Sequence, residues 1–405
     1  MQHNNLIITD PENQVTNFEY DKNGNLDSVS YPNGKGANYS YNTVDRLTGI
    51  NYTGDSTTWN FQYDNNGNRT IETKNGWETT SYAYDNRNRV QRVDYPSSLF
   101  SEYYYNPVGQ VTSITNSPLS NPVQYEYDPS GVNVKVSMGS AEDYNAAFMY
   151  DEQGRLKKTF VEEKNMMQYM TYRTYDAAGN LIRLRTEDKE GNVLQDYSYT
   201  YDKNGNRDIA KNEITKNYVD YDYDSLNQLE IEKYHVWDAP SGTYYVNKTM
   251  GYQYDLLGNR TQKSVDGNIT SYSYNAANEI TGDGTNSYTH DANGNMTYDG
   301  QYTYVYDAEN QLIQVKQGST VIANYEYNAD GLRTKKTANG NAEKYYYNGT
   351  KLAYITDGSN NLKYYFMRDA SGRLLNMVDY TGASPQAYWY LFDGHGNVMG
   401  VYTKT

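Results

Sequence analysis

Apolar and polar residues alternate along this chain with a period of two over short runs, and turn-forming residues cut the runs at regular intervals. Phe18-Glu19-Tyr20, Tyr39-Ser40-Tyr41, Phe61-Gln62-Tyr63 and Tyr325-Glu326-Tyr327 each place two rings on one face of an extended strand. No window sustains helical spacing. Directly after the second ring stands Asp or Asn, whose short side chain accepts a hydrogen bond from a backbone amide two residues on and so starts a turn. Three residues further the chain needs positive φ, and Gly or Asn usually stands there. A second strand follows, as in Leu26-Asp27-Ser28-Val29-Ser30-Tyr31, and often ends at another turn such as Pro32-Asn33-Gly34 or Asn75-Gly76.

The pattern aromatic-x-aromatic-[Asp/Asn]-x-x-[Gly/Asn] recurs 18 times between residues 18 and 396, most copies about 21 residues apart. The position needing positive φ holds Gly in 12 copies, Asn in 4, and Asp45 and Lys351 in the other two. The pairs Asp21 and Gly24, Asp64 and Gly67, Asp151 and Gly154, Asp202 and Gly205, Asp255 and Gly258, and Asp393 and Gly396 are assigned as structural turn residues. Spacing widens between Asp151 and Asp202 and between Asp224 and Asp255, and narrows on either side of Asp291; such insertions and deletions are expected in turns. A meander of hairpins follows, an all-β strip with no internal linker or domain boundary.

Tyr20-Asp21-Lys22-Asn23-Gly24-Asn25-Leu26, Tyr63-Asp64-Asn65-Asn66-Gly67-Asn68-Arg69, Tyr201-Asp202-Lys203-Asn204-Gly205-Asn206-Arg207 and Tyr306-Asp307-Ala308-Glu309-Asn310-Gln311-Leu312 resemble the tyrosine–aspartate (YD) repeats of bacterial RHS proteins. The same repeats occur in insecticidal toxin-complex shells and in animal teneurins. The resemblance runs from about residue 18 to the end. It implies a YD-repeat β-solenoid, a hairpin strip that curls into a hollow shell or open ring with its tyrosines stacked in ladders. Residues 1–17 then form a lead-in and 18–363 the repeat shell. Residues 364–405, with Tyr364 to Leu375 and Tyr388 to Val398, resemble the last stretch of an RHS core. In the family a terminal region follows and closes with Asp-Pro-x-Gly, where aspartyl-type self-cleavage frees a toxin domain. This sequence reaches Thr405 before those residues, so that region and the toxin are expected to lie outside it.

Composition fits a thin wall. Tyrosine accounts for 49 of the 405 residues, against 7 Phe and 4 Trp. A ring that shields its neighbours while presenting a polar tip suits a single layer with little interior, and 18 two-strand copies make too wide a ribbon for a small, side-chain-filled barrel. With no Cys there is no disulfide, thiolate nucleophile or Cys-ligated metal. The chain holds no apolar run long enough to span a membrane and no signal peptide at its start, so an export signal is expected to lie outside it. A net charge of −15 opposes binding to a nucleic-acid backbone.

Chemistry-bearing residues are sparse. Of His3, His235, His290 and His395, His290 takes the place of a second ring and His395 lies in a turn, with no serine or cysteine in a nucleophile-elbow context. Arg173 and Arg368 interrupt the ring positions, where a guanidinium stacked on rings is expected. Asp-x-Asn-Gly-Asn at 21–25 and 202–206 has glycine at the fourth position and lacks the twelfth-position Glu of a calcium loop, so it is read as a turn. Gly282-Asp283-Gly284 lacks the rest of a phosphate loop. Glu162 and Glu163 point to opposite faces of a strand and are read as solvated charge. Asn-x-Ser/Thr triplets such as Asn38-Tyr39-Ser40 follow from abundant Asn. Trp237 lies in the widest gap; packing across its own hairpin is the first expectation and ligand contact the second.

The resemblance therefore points to a non-enzymatic structural shell, without cofactor or metal, that encloses a C-terminal toxin cargo and is secreted or cell-surface associated in a bacterium. The alternative is a surface module that binds cell-wall carbohydrate through exposed Tyr and Trp. End strands are expected to be sticky and to favour self-association.

Overall fold

The computed structural model describes residues 4–119, 121–139 and 143–403; His3 lies outside them. Among the described residues the chain forms 38 strands and no helix, the all-β class expected. Strands pair antiparallel with their neighbours in sequence: Val15–Tyr20 with Leu26–Ser30, Thr58–Tyr63 with Arg69–Lys74, Val193–Tyr201 with Arg207–Asn212. At each of these hairpins the register shifts at the second ring, Tyr20, Tyr63 or Tyr201. One residue on the second strand, Asp27, Thr70 or Asp208, is thus left over as a bulge beside the turn.

The chain divides into two compact units. One comprises residues 1–104, 114–119 and 273–363; the other comprises 105–113, 120–272 and 364–405. Each combines an early and a late stretch of chain, which is why no linker marks them in the sequence. In the first, Asn33 Nδ2 donates to Asp291 Oδ2 at 3.2 Å, Arg69 pairs with Asp330 at 2.7 Å and Tyr346 Oη donates to Ser97 Oγ at 2.9 Å. Its core includes Val29, Ala37, Tyr52, Trp59, Phe61 and Ala308. In the second, Ala370 N–H donates to Asn133 Oδ1 at 3.3 Å and Gly394 N–H to Tyr199 Oη at 2.8 Å. Val136, Val161, Leu184, Met367, Val378 and Trp389 are buried there.

Three expectations need correction. The wider spacings lengthen strands as well as turns: Met166–Tyr175 has 10 residues, Leu229–Asp238 has 10 and Thr243–Tyr254 has 12. Hydrogen bonding along a hairpin can absorb added pairs of residues without changing which face a side chain takes. At Lys351 positive φ is not required. Asn348 pairs directly with Lys351, and Gly349, at φ 60°, makes a two-residue turn instead. Glu163 is not solvated charge: it is buried, and Trp389 Nε1 donates to its Oε1 at 2.9 Å.

Candidate functional site

The repeat is the element that recurs along the chain, and its polar groups are used up by neighbours. In the Asp202 turn, Asp202 Oδ1 accepts the backbone N–H of Asn204 at 2.8 Å and of Asn206 at 2.9 Å, while Asn206 Nδ2 donates to Oδ2 at 3.0 Å. The main chain closes the loop, with Asp202 N–H to Asn206 O at 2.9 Å and Gly205 N–H to Asp202 O at 3.1 Å. Asp21, Asp64, Asp255 and Asp393 bind Asn25, Asn68, Asn259 and Asn397 in the same way, and Asp151 takes Arg155 Nε at 2.7 Å. Gly24, Gly67, Gly154, Gly205, Gly258 and Gly396 all have positive φ, from 77° to 96°. The side-chain amides of Asn25, Asn68 and Asn259 hold Asp21, Asp64 and Asp255 below the ordinary carboxylate value, and Arg89 lowers Asp85 to about 2. Where Asn replaces the turn Asp the polarity can reverse: Asn106 Nδ2 donates to Gln110 Oε1 at 2.8 Å and Asn275 Nδ2 to Glu279 Oε2 at 2.6 Å.

Three kinds of ladder join successive repeats. The second-ring tyrosine donates its hydroxyl to a carbonyl in the second strand of the preceding repeat: Tyr41 to Leu26, Tyr63 to Leu47, Tyr201 to Leu181, Tyr223 to Arg207 and Tyr327 to Leu312, at 2.7–2.9 Å. The second ladder runs turn to turn. Asn204 and Asn206 both donate to Asn227 Oδ1, Asn66 and Asn68 to Asn88 Oδ1, and Asn293 and Asn295 to Asn310 Oδ1. Asn thus stands at a positive-φ position because its side chain ties down the turn before it. In the third, an arginine opening the second strand lies between first-position rings of successive repeats. Arg69 sits over Phe61 and Tyr82, Arg260 over Tyr252 and Tyr272, and Arg333 over Tyr325 and Tyr345, at 4.6–6.0 Å from the centroids. The single-letter pattern signals only the turn; the ladders need the alignment of one repeat on the next. The turn fold also recurs at Asp10, Asp188 and Asp357, which lack the ring pair and so escaped the motif.

Trp237 lies on strand Leu229–Asp238 opposite Tyr244. Their rings meet edge to face at 4.9 Å, and Lys216 Nζ stands 4.7 Å from the indole. Beside them Tyr218 stacks on His235 at 4.2 Å. Tyr244 is 37% exposed and Tyr245 is 51% exposed. His290 lies in the short strand Thr289–His290, paired with Met296. The backbone N–H of His395 donates to Asp393 Oδ1 at 2.8 Å, and burial lowers its imidazole pKa. Among the described residues no group of three or more His, Asp or Glu side chains is arranged to hold a metal, and no helix is long and apolar enough to cross a membrane.

One family model, described as Teneurin YD-shell, matches residues 2–168 and 235–405 of this hairpin meander. The chain belongs to this YD-shell family. Two curated relatives also match. The tRNA3(Ser)-specific nuclease WapA of Bacillus spizizenii is 32% identical over 328 residues, covering 74% of this chain and 11% of the relative. The tRNA nuclease WapA of Bacillus subtilis is 32% identical over 332 residues, 75% of this chain and 12% of the relative. The chain thus spans about a tenth of the length of these relatives. A crystal structure of TcdB2-TccC3 without its hypervariable C-terminal region superposes with a TM-score of 0.78 at 16% identity, covering 98% of this chain and 23% of that one. The YD-shell fold is therefore shared, and the role it supports is structural.

Proposed function

We propose that this YD-shell chain is part of the wall of an RHS-type toxin shell, encloses a polypeptide cargo carried C-terminal to it, and performs no catalysis of its own. The observation that carries this reading is the shell-family match over both ends of the chain together with the TcdB2-TccC3 likeness. The ladders support it, since they spend tyrosine hydroxyls, asparagine amides and arginine side chains on contacts between adjacent repeats. In this reading the nuclease named in the two relatives corresponds to cargo and not to the wall. Turn residues Asp21, Gly24, Asp64, Gly67, Asp151, Gly154, Asp202, Gly205, Asp255, Gly258, Asp393 and Gly396 serve the wall alone. The protein acts outside the producing cell or at its surface. Residues 1–17 are a lead-in, 18–363 the main wall and 364–405 its last repeats.

The test is limited proteolysis of the full gene product, with its downstream residues, against the same downstream segment expressed alone. Protection of the segment only when it is joined to the repeats is the expected result; equal cleavage of both overturns enclosure.

A second reading, carbohydrate binding, rests on Tyr244, partly exposed and edge to face with Trp237. Glycan-array binding that is lost in Tyr244→Ala would favour it.

A further inference from the structure

Arg173 stands where most repeats have their first ring, in Arg173-Thr174-Tyr175. The other arginines near ring positions have company: Arg69 pairs with Asp330 and Glu72, and Arg260 and Arg333 lie against two rings each. Arg173 donates from Nη1 to Thr159 Oγ1 at 3.1 Å, and among the described residues it has no ion pair with a carboxylate. Its side chain lines a cavity of about 30 Å³ together with Thr159, Thr171, Gln195, Trp389 and Arg373. Arg373 is satisfied by Asp369, which it grips through Nε at 2.8 Å and Nη2 at 2.5 Å. Two guanidinium groups thus face one cavity and a single carboxylate answers them. Burial, and then the charge of Arg373, lower the Arg173 pKa to about 10, so the group is still charged at neutral pH.

Arg173 is half-buried, and a cation partly withdrawn from water without a counter-charge is costly, so proteins pair such groups or bind an ion to them. We propose that this cavity is a site for a carboxylate, held by Arg173. The planar fork of a guanidinium matches the two oxygens of a carboxylate. The cavity admits a head group of that size and little more, and the Thr159 and Thr171 hydroxyls add polar lining. The carboxylate comes either from a small free acid or from the side chain of a polypeptide. The inference stands on the cavity alone and does not depend on the shell reading.

The experiment is thermal unfolding of the 405-residue chain as formate replaces chloride at constant ionic strength. A saturable rise of about 1–2 °C in Tm is expected for the unaltered protein and for Arg183→Met, which removes a surface arginine instead. The rise is lost in Arg173→Met. No saturable rise, or an equal rise in Arg173→Met, overturns the site. Should Arg173→Met fail to fold, line broadening of 13C-formate by the unaltered protein, reversed by acetate, is the independent readout, and its absence overturns the proposal equally. A capped Gly-Glu-Gly peptide and its Gln analogue form the second arm. Reversal of the formate signal by the Glu peptide alone supports a chain-borne carboxylate; reversal by acetate but neither peptide supports a free small acid.

Discussion

The Trp389 indole donates to Glu163 Oε1 at 2.9 Å, across 226 residues of chain, with both side chains buried. This single bond gives a buried carboxylate its partner and fixes strand Gln386–Phe392 against strand Leu156–Glu163. Trp389→Phe removes the donor and keeps most of the apolar surface, so the carboxylate is left short of a partner. The expected loss is about 2–3 kcal/mol in urea unfolding, and Glu163→Gln in the same background should recover part of it.

Tyr201 spends its hydroxyl on the carbonyl of Leu181 at 2.7 Å. Tyr201→Phe keeps the ring and deletes only that bond, at an expected cost of about 1 kcal/mol. Combining it with Tyr41→Phe, far along the chain, should give an additive loss. Chemical denaturation of the two single variants and the double variant checks both statements.

Asn180 Nδ2 donates to Asp176 Oδ2 at 2.9 Å. Asp176→Asn sets one amide donor against another and should cost about 1 kcal/mol. Asn180→Gln added to it supplies an acceptor, as Gln110 does for Asn106, and should restore much of the loss. A double-mutant cycle measures the coupling.

Stability should depend on pH in two opposite senses. The turn carboxylates Asp21, Asp64 and Asp255 have lowered folded pKa values, so their contribution is present above an unfolded value of about 4 and is lost as the pH falls. Burial raises Asp307 and Glu309, and Asp55 adds to both. Their contribution is full below about pH 4 and is lost as the pH climbs through the raised values. Asp307→Asn should therefore raise neutral-pH stability by up to about 1 kcal/mol, reduced by solvent screening, and flatten the decline above pH 4. Urea unfolding from pH 3 to 8 measures both limbs.

Gly349 has φ 60° with no heavy atom near an added Cβ, so Gly349→Ala should cost about 1 kcal/mol through backbone strain alone. Lys351→Gly, at the place where the repeat pattern alone would put the left-handed residue, should bring no gain. Circular-dichroism melting of the two variants separates these outcomes.

The strands and most turns were legible because each is encoded within seven residues: a ring pair sets the face and Asp or Asn starts the turn. Lys351 was misread because a two-residue hairpin took over the reversal, a choice fixed by pairing of Asn348 with Lys351 and not by the local motif. Glu163 looked like surface charge beside Glu162 because its partner, Trp389, is remote in sequence. Asp188 and Asp357 went unread for the opposite reason, since they keep the turn chemistry without the rings that advertised it.

The tyrosine hydroxyl that reaches back to the preceding repeat has an evolutionary consequence. A copy with tyrosine at the second ring carries both the donor its predecessor needs and the carbonyl its successor will use. Duplicating or deleting a whole copy therefore leaves no orphaned group at the junction, only a new neighbour of the same kind. A gene encoding such a chain can change length by unequal recombination and still yield a foldable product. Selection on the size of the protein can then proceed in steps of one repeat.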